Sequence, residues 1–361
     1  MNKRTYLIGG LMAALLGLSA CKKSMVNEDG SLFPLKEYTE LTGEQICPDV
    51  LMKTPDDLLI AGDWLLINDR QTDSLLHAIN LNNLDNYKRL APVGQGPYDF
   101  VSIMDMHYDG QELGIYDSMG KTYSYFKVDK GDIKLDETTF THRDKFEKSS
   151  NITISGSYSP FGDNYVTVGL EGTNALIVKD KTGEVVSSFA PYPGDTLGIS
   201  DPLTFMLKRV WFCTTNPKKD IAVAAGSTSD WLAFYKLGAQ GPEKIKEYYT
   251  FETEREADVR YNDKHQLISL SLDNGDAIDT FSDLKPTENH LYVQYRGFRL
   301  DDDNPDNPCY VLQFDWEGNL LKAYKFHELI GAFDVDEKRG YLYAHYTPDG
   351  EDPQLWRYKL K

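Results

Sequence analysis

The sequence is poor in cysteine, tryptophan and positive charge, and each shortage excludes something. Four cysteines in 361 residues rule out a disulfide-dense framework, and the three at 47, 213 and 309 allow at most one bridge between them. They are expected to be buried small apolar side chains. Lys and Arg number 38 against 56 Asp and Glu, a formal charge of −18. No basic patch interrupts that acidity, so phosphate backbones are repelled and nucleic acid is excluded as a partner. The seven histidines, at 77, 107, 142, 265, 290, 327 and 345, form none of the close pairs that hold a metal, and no cofactor is expected. A Gly-x-Ser-x-Gly nucleophile elbow is also missing. What is abundant is aromatic: 23 Tyr and 16 Phe, side chains that suit half-buried pleated surfaces. With 41% hydrophobic and 26% charged residues the chain is an ordinary globular one, rich in strand formers.

The first twenty residues stand apart from that pattern. Lys3 and Arg4 precede a short apolar run from Leu7 to Leu18, then Ser19 and Ala20, the layout of a secretory signal. The apolar run is too short to span a bilayer comfortably. Leu18-Ser19-Ala20-Cys21 resembles the bacterial lipobox, which implies cleavage before Cys21 and acylation of that cysteine. Several acyl chains on one residue anchor a protein far better than one does. The mature chain would keep 36 basic and 56 acidic residues, a charge of −20. Lys22 and Lys23 differ from the Asp-containing inner-membrane retention pattern, so the expectation is an outer-membrane lipoprotein, facing the periplasm or the cell surface. Residues 21–33 are polar and aperiodic and read as a tether.

From residue 34 onward the chain repeats itself. Six alternating apolar segments share one pattern: Trp64–Asp69, Glu112–Asp117, Tyr165–Leu170, Asp220–Ala225, His290–Tyr295 and Tyr341–Tyr346. Aligning Ile67, Ile115, Val168, Val223, Val293 and Ala344 gives intervals of 48, 53, 55, 70 and 51 residues, the long one containing an insertion within 251–289. A second strand, a Gly, Asn or Asp turn and a third strand follow each segment. The third strands are expected at Tyr87–Leu90, Ile133–Leu135, Glu184–Phe189, Lys244–Thr250 and Leu320–Phe326. The sixth unit ends after its second strand, Gln354–Leu360, so Leu35–Ile46 should supply the missing one. These units predict an all-β fold, a six-bladed β-propeller of four-stranded blades over residues 34–361, its ring closed by the N-terminal strand completing the last blade.

The chain resembles the six-bladed, TolB-like or NHL-like propeller lipoproteins of Bacteroidetes. The resemblance covers nearly the whole mature chain, and its most specific element is Gly94-Gln-Gly-Pro-Tyr-Asp-Phe100, similar to the family's G-x-G-P-x-E-F turn with Asp99 in place of Glu. It implies the fold and the lipid anchor and supplies no catalytic set. As a local motif the turn lacks the Lys-Ser/Thr of a phosphate loop, and its glycines are expected at positive φ.

In a propeller the second strand of each blade exits on the face that also carries the blade-to-blade linkers. The candidate ligand-binding residues there are Asp69, Arg70, Asp117, Glu171, Arg296, His345 and Tyr346, with Gln95 and Tyr98 from the linking turn. No metal or catalytic residue is assigned. The acidic run Asp301–Pro308 lacks the Gly and Glu of an EF-hand and reads as a solvated insertion. The function expected is a non-catalytic binding module for a glycan, peptide or envelope partner, the aromatics offering stacking surfaces. The alternative is a lyase or hydrolase with Asp69, Asp117 and Glu171 around a channel metal. An envelope assembly role rests on fold analogy alone.

Overall fold

A computed structural model describes residues 25–361 except 71, 130, 149–157, 195–201, 210, 265–266, 303 and 305–306. Cys21 and residues 1–20, read above as a secretory signal, lie outside the described residues.

Six antiparallel sheets follow one another around a ring. Blade 1 is built from Pro55–Ala61, Trp64–Asp69, Ser74–Asn80 and Tyr87–Pro92, blade 2 from Ile103–Tyr108, Glu112–Asp117, Thr122–Lys127 and Phe140–Lys145. Ser159–Phe161, Asn164–Glu171, Asn174–Lys179 and Val185–Pro191 make blade 3. Blade 4 comprises Trp211–Thr215, Ile221–Gly226, Leu232–Gly238 and Gly241–Tyr248, and blade 5 Ile278–Pro286, His290–Arg299, Cys309–Asp315 and Leu320–Phe326. Phe333–Asp336, Tyr341–Tyr346 and Gln354–Lys359 form blade 6, and Gly43–Ile46 pairs antiparallel with the last of these to complete it. The six repeated segments are the second strands, buried on both faces, which is why they read as near-continuous apolar runs.

Apolar residues gather in six clusters, one at each seam between neighbouring blades. The aromatic excess goes there: at the seam of blades 2 and 3, Tyr116, Tyr123, Tyr125, Phe146, Tyr158 and Tyr165 pack together. Tyr125 Oη and Tyr165 Oη share a hydrogen bond of 2.8 Å inside that cluster. Cys213 and Cys309 are buried and Cys47 is half-buried, and neither Cys47 nor Cys309 is in a disulfide.

The structure corrects four details. The outer strand of blade 2 is Phe140–Lys145, and Ile133 and Leu135 instead plug the core of blades 1 and 2 from a loop. The true strand is polar because it lies at the rim, whereas the loop residues are apolar because they cover the core. Thr39–Leu41 adds a fifth strand to blade 5, parallel to Tyr324–Phe326, before the chain enters blade 6. Residues 25–33 are more than a tether: Leu32 is fully buried at the seam of blades 4 and 5, and Phe33 stacks on Tyr295 with ring centroids 3.5 Å apart. Gly94 and Gly96 are not at positive φ; a Cβ on either would lie 2.3 or 2.6 Å from the Asp99 carboxylate, which accepts the Gly96 N–H at 2.8 Å. That loop needs glycine for close approach, not for handedness.

Two further elements were not anticipated. A short helix, Pro202–Lys208, precedes blade 4. The insertion between blades 4 and 5 is a separate two-stranded hairpin, Glu256–Tyr261 with Leu267–Asp273.

Candidate functional site

The first strands of the blades surround a central channel. Their alternation points every second side chain inward, so the channel is lined by Asp57 of blade 1, Asp105 and His107 of blade 2, Ser159 of blade 3, Thr214 of blade 4, Asp283 and Lys285 of blade 5 and Asp334 of blade 6. Toward the face of the second-strand exits the channel opens into a cavity of about 530 Å³. A second cavity, about 640 Å³, opens on the opposite face, and both are walled by Leu59, Tyr108, Pro286 and Asp334 where they meet.

The first strands of blades 3 and 6, opposite each other in the ring, are the shortest, three and four residues long. Across each gap a lysine joins the flanking blades. Lys219 of blade 4 pairs with Asp109 of blade 2 at 3.0 Å, past blade 3. Lys285 of blade 5 pairs with Asp57 of blade 1, past blade 6, and donates to the Leu58 carbonyl at 3.1 Å. Asp283 lies 3.4 Å from the same ammonium, and Asp334 accepts the Ile60 N–H at 2.5 Å.

Lys285 and Asp334 are buried, while Asp57 and Asp283 are half-buried and open to the cavity. Burial pushes Asp283 up to about 6 and Asp334 up to about 7, with Lys285 opposing the rise in both. Burial alone would lower the Lys285 pKa, but Asp283, Asp57 and Asp334 more than reverse it and hold the ammonium charged. His107 is neutral: burial, reinforced by the Lys219 charge, lowers it to about 4, and its Nε2 is buried with no hydrogen-bond partner among the described residues.

Three of the nine candidates from the sequence meet at the cavity mouth: Arg70, Arg296 and His345. Arg70 pairs with Asp56 on the rim. Arg296 Nη1 donates to Asp279 at 3.0 Å, while its Nε is buried and has no acceptor among the described residues. The His345 ring lies against the backbone of the preceding linker, and a Cβ at Gly331 would fall 1.8 Å from its Nε2. The Ala332 N–H donates to that Nε2 at 3.1 Å. Burial and then the Arg296 charge lower His345 to about 4, so the ring is neutral and its proton sits on Nδ1. That Nδ1–H is likewise buried with no acceptor among the described residues.

The other six candidates lie elsewhere. Asp69 is fully buried and accepts the N–H groups of Lys53 and Thr54 at 2.9 and 2.8 Å, with His77 Nε2 at 3.1 Å. Asp117 does the same in the next blade, accepting from Val101 and Ser102 at 2.8 and 3.2 Å and from Met119 and Gly120 at 3.1 and 2.9 Å. Glu171 is exposed at the turn into the third strand of blade 3. Gln95 is exposed on the outer linker, and Tyr98 packs edge-on against Phe140 of blade 2. Tyr346 sits edge-on to Trp356 with centroids 6.1 Å apart. Asp69, Asp117 and Glu171 therefore do not converge on the channel. Among the described residues no group of three His, Cys, Asp or Glu side chains is arranged to hold a metal.

The channel residues Asp57, His107, Asp283, Lys285 and Asp334 were not singled out from the sequence. The signal for them exists: polar residues two apart, Asp105/His107 and Asp283/Lys285, in the stretch just before a repeated apolar segment. In a propeller that stretch is the innermost strand, and such pairs face the channel.

A family model described as TolB-like 6-blade propeller-like matches residues 35–338. No curated protein matches the chain. Among solved structures, a candidate exported protein of Bacteroides fragilis superposes with a TM-score of 0.49 at 14% identity, covering 89% of this chain and 95% of the other. A DUF4221-family protein from Bacteroides vulgatus gives 0.49 at 10% identity over 90% and 99%. Six four-stranded blades, closure by the N-terminal strand and a family match across most of the chain agree: the protein belongs to the TolB-like six-bladed propeller family.

Proposed function

We propose that this propeller is a lipid-anchored envelope protein that binds a short peptide by its carboxylate at the channel mouth, without transforming it. The observation that carries this reading is a pair of donors at the rim, Arg296 Nε–H and His345 Nδ1–H, with no acceptor among the described residues. Buried donors without acceptors are costly, and a ligand carboxylate would supply both acceptors once the two side chains turn toward the cavity. Asp56, Asp57 and Asp283 line the same cavity and would receive an amino group. A cavity of about 530 Å³ has room for two or three residues.

A peptide fits better than a glycan. Sugar sites stack rings on exposed aromatic faces, and the lining aromatics are Tyr108 and Phe212; the others lie mainly in the seams. Anchoring through Cys21 would hold the protein at the outer membrane, facing the periplasm or the cell surface.

Thermal shift against a pool of tripeptides, a pool of acidic oligosaccharides and buffer tests the reading. A rise in Tm with the peptides alone is expected. A rise with the saccharides alone would replace the peptide by a glycan. No rise with either would leave a protein partner as the ligand.

A further inference from the structure

The hairpin between blades 4 and 5 has one apolar face, half-buried at Ala257 and Val259 and exposed at Tyr261 and along its second strand. Ala257 lies opposite Leu272, Val259 opposite Leu270 and Tyr261 opposite Leu267, and opposed residues share a face. The register shift between Arg260 and Tyr261 makes Ile268 the extra residue, which brings Leu267 round to the same side as Ile268 and Leu270. The other face carries Glu256, Asp258, Arg260, Ser269, Ser271 and Asp273. Ile268 is 63% exposed, and Leu267, Leu270 and Leu272 are 45–50% exposed. The helix Pro202–Lys208 lies against Glu256–Tyr261 and leaves the second strand uncovered, and a sustained exposed apolar face there marks a contact surface.

The position of this face says what it meets. Its base is held by Arg299, whose Nη2 donates to the Gly275 carbonyl at 2.8 Å. Four residues earlier on the same strand, Tyr295 receives the Phe33 ring. The start of the described chain is folded back onto that point: Lys36 Nζ donates to the Val26 carbonyl at 2.6 Å and Asn27 Nδ2 to the Pro34 carbonyl at 3.2 Å. The described chain therefore begins at the seam of blades 4 and 5, the two blades between which the hairpin is inserted. Three residues lie between Cys21 and Met25, a reach of at most about 14 Å.

Resting on the lipid-anchor reading above, we infer that the apolar face of Glu256–Tyr261 and Leu267–Asp273 seats on the bilayer surface and holds the propeller with blades 4 and 5 toward the membrane. Tyr261 then sits at the lipid–water boundary, where amphipathic rings are favoured. The surface works through apolar burial, not charge: its polar face mixes both signs, and the chain carries −18 overall. Seating is accordingly insensitive to salt and to anionic lipid.

Hydrogen exchange of the lipidated full chain, free in detergent and bound to phosphatidylcholine vesicles, tests this. Amides of both hairpin strands should slow about fivefold or more on vesicles, while the turns at 109–111 and 287–289 on the opposite face stay unchanged. An Ile268→Asp/Leu270→Asp variant, changed only at exposed positions, should keep its lipid and lose the protection. Unchanged hairpin exchange on vesicles overturns the inference, as does protection that appears without vesicles at high protein concentration and marks a second copy as the occupant. Acyl labelling judges the anchor separately. If Cys21 takes no lipid, the unlipidated chain is floated with the same vesicles in high salt: flotation lost in the Asp variant supports the hairpin, and no flotation overturns it.

Discussion

Lys285 of blade 5 and Asp57 of blade 1 form an ion pair across the channel although a whole blade lies between them in the ring. The contact is possible because the first strand of blade 6 is only four residues long. Blade 6 is also the one assembled from both ends of the chain, so this pair clamps the ring beside its closure. Lys285→Met should destabilise the protein by about 3–5 kcal/mol in chemical denaturation, because three carboxylates lose their counter-charge. Adding Asp57→Asn should restore some of the loss; two independent, additive losses would contradict the clamp.

Asp69 and Asp117 make equivalent contacts in successive blades, each binding two N–H groups of the linker that leads into its own blade. Asp117→Ala should cost about 1–3 kcal/mol by orphaning those part-buried donors, with no effect on ligand affinity beyond the loss of folded protein. A soluble variant of native stability that no longer binds ligand would restore Asp117 to the site.

Acid should act on the channel through histidine. His107 and His345 are both lowered to about 4 by burial, so below the ordinary value of about 6.5 the unfolded chain takes up protons first. The stability they contribute is intact above about pH 6.5 and is lost as pH falls toward about 4. Asp283 and Asp334 act in the opposite sense, since their raised values make the unfolded chain lose protons first as pH rises from about 4 toward 7. The His107→Gln variant should therefore gain on the wild type by on the order of 1–3 kcal/mol between pH 7 and pH 4. Imidazole NMR signals that titrate near 6.5 would contradict this.

Gly331 exists to admit His345. Gly331→Ala should displace the ring, break its bond from the Ala332 N–H and weaken ligand binding about tenfold while the fold persists. Unchanged affinity would show that the ring position is irrelevant to the site.

Much of this architecture is legible in the amino-acid sequence. The second strands, buried on both sides, imprint a dense apolar pattern, and six copies near 50 residues apart define the ring. Outer strands leave a weaker mark because one face is wet, which is how Ile133–Leu135 could stand in for Phe140–Lys145. The cavity lining was partly legible: the place after a second strand picks out Arg296 and His345, which line the cavity, and equally Asp69 and Asp117, whose carboxylates turn back onto their own linkers. Sequence position identifies the end of a strand; it does not say whether the side chain there meets backbone or solvent. The Lys285 cluster was missed because its partners come from blades 1, 5 and 6, and only closure of the ring brings them together.

The central claim is that Arg296 and His345 receive a ligand carboxylate at the channel mouth. Calorimetry on the strongest binder from a tripeptide pool, against the same peptide as its C-terminal amide, tests it most directly. The free acid should bind at least about tenfold more tightly, a difference of about 1.4 kcal/mol, and that preference should vanish in Arg296→Met. Equal affinity for acid and amide in the wild type, or a preference that survives the substitution, would contradict the account.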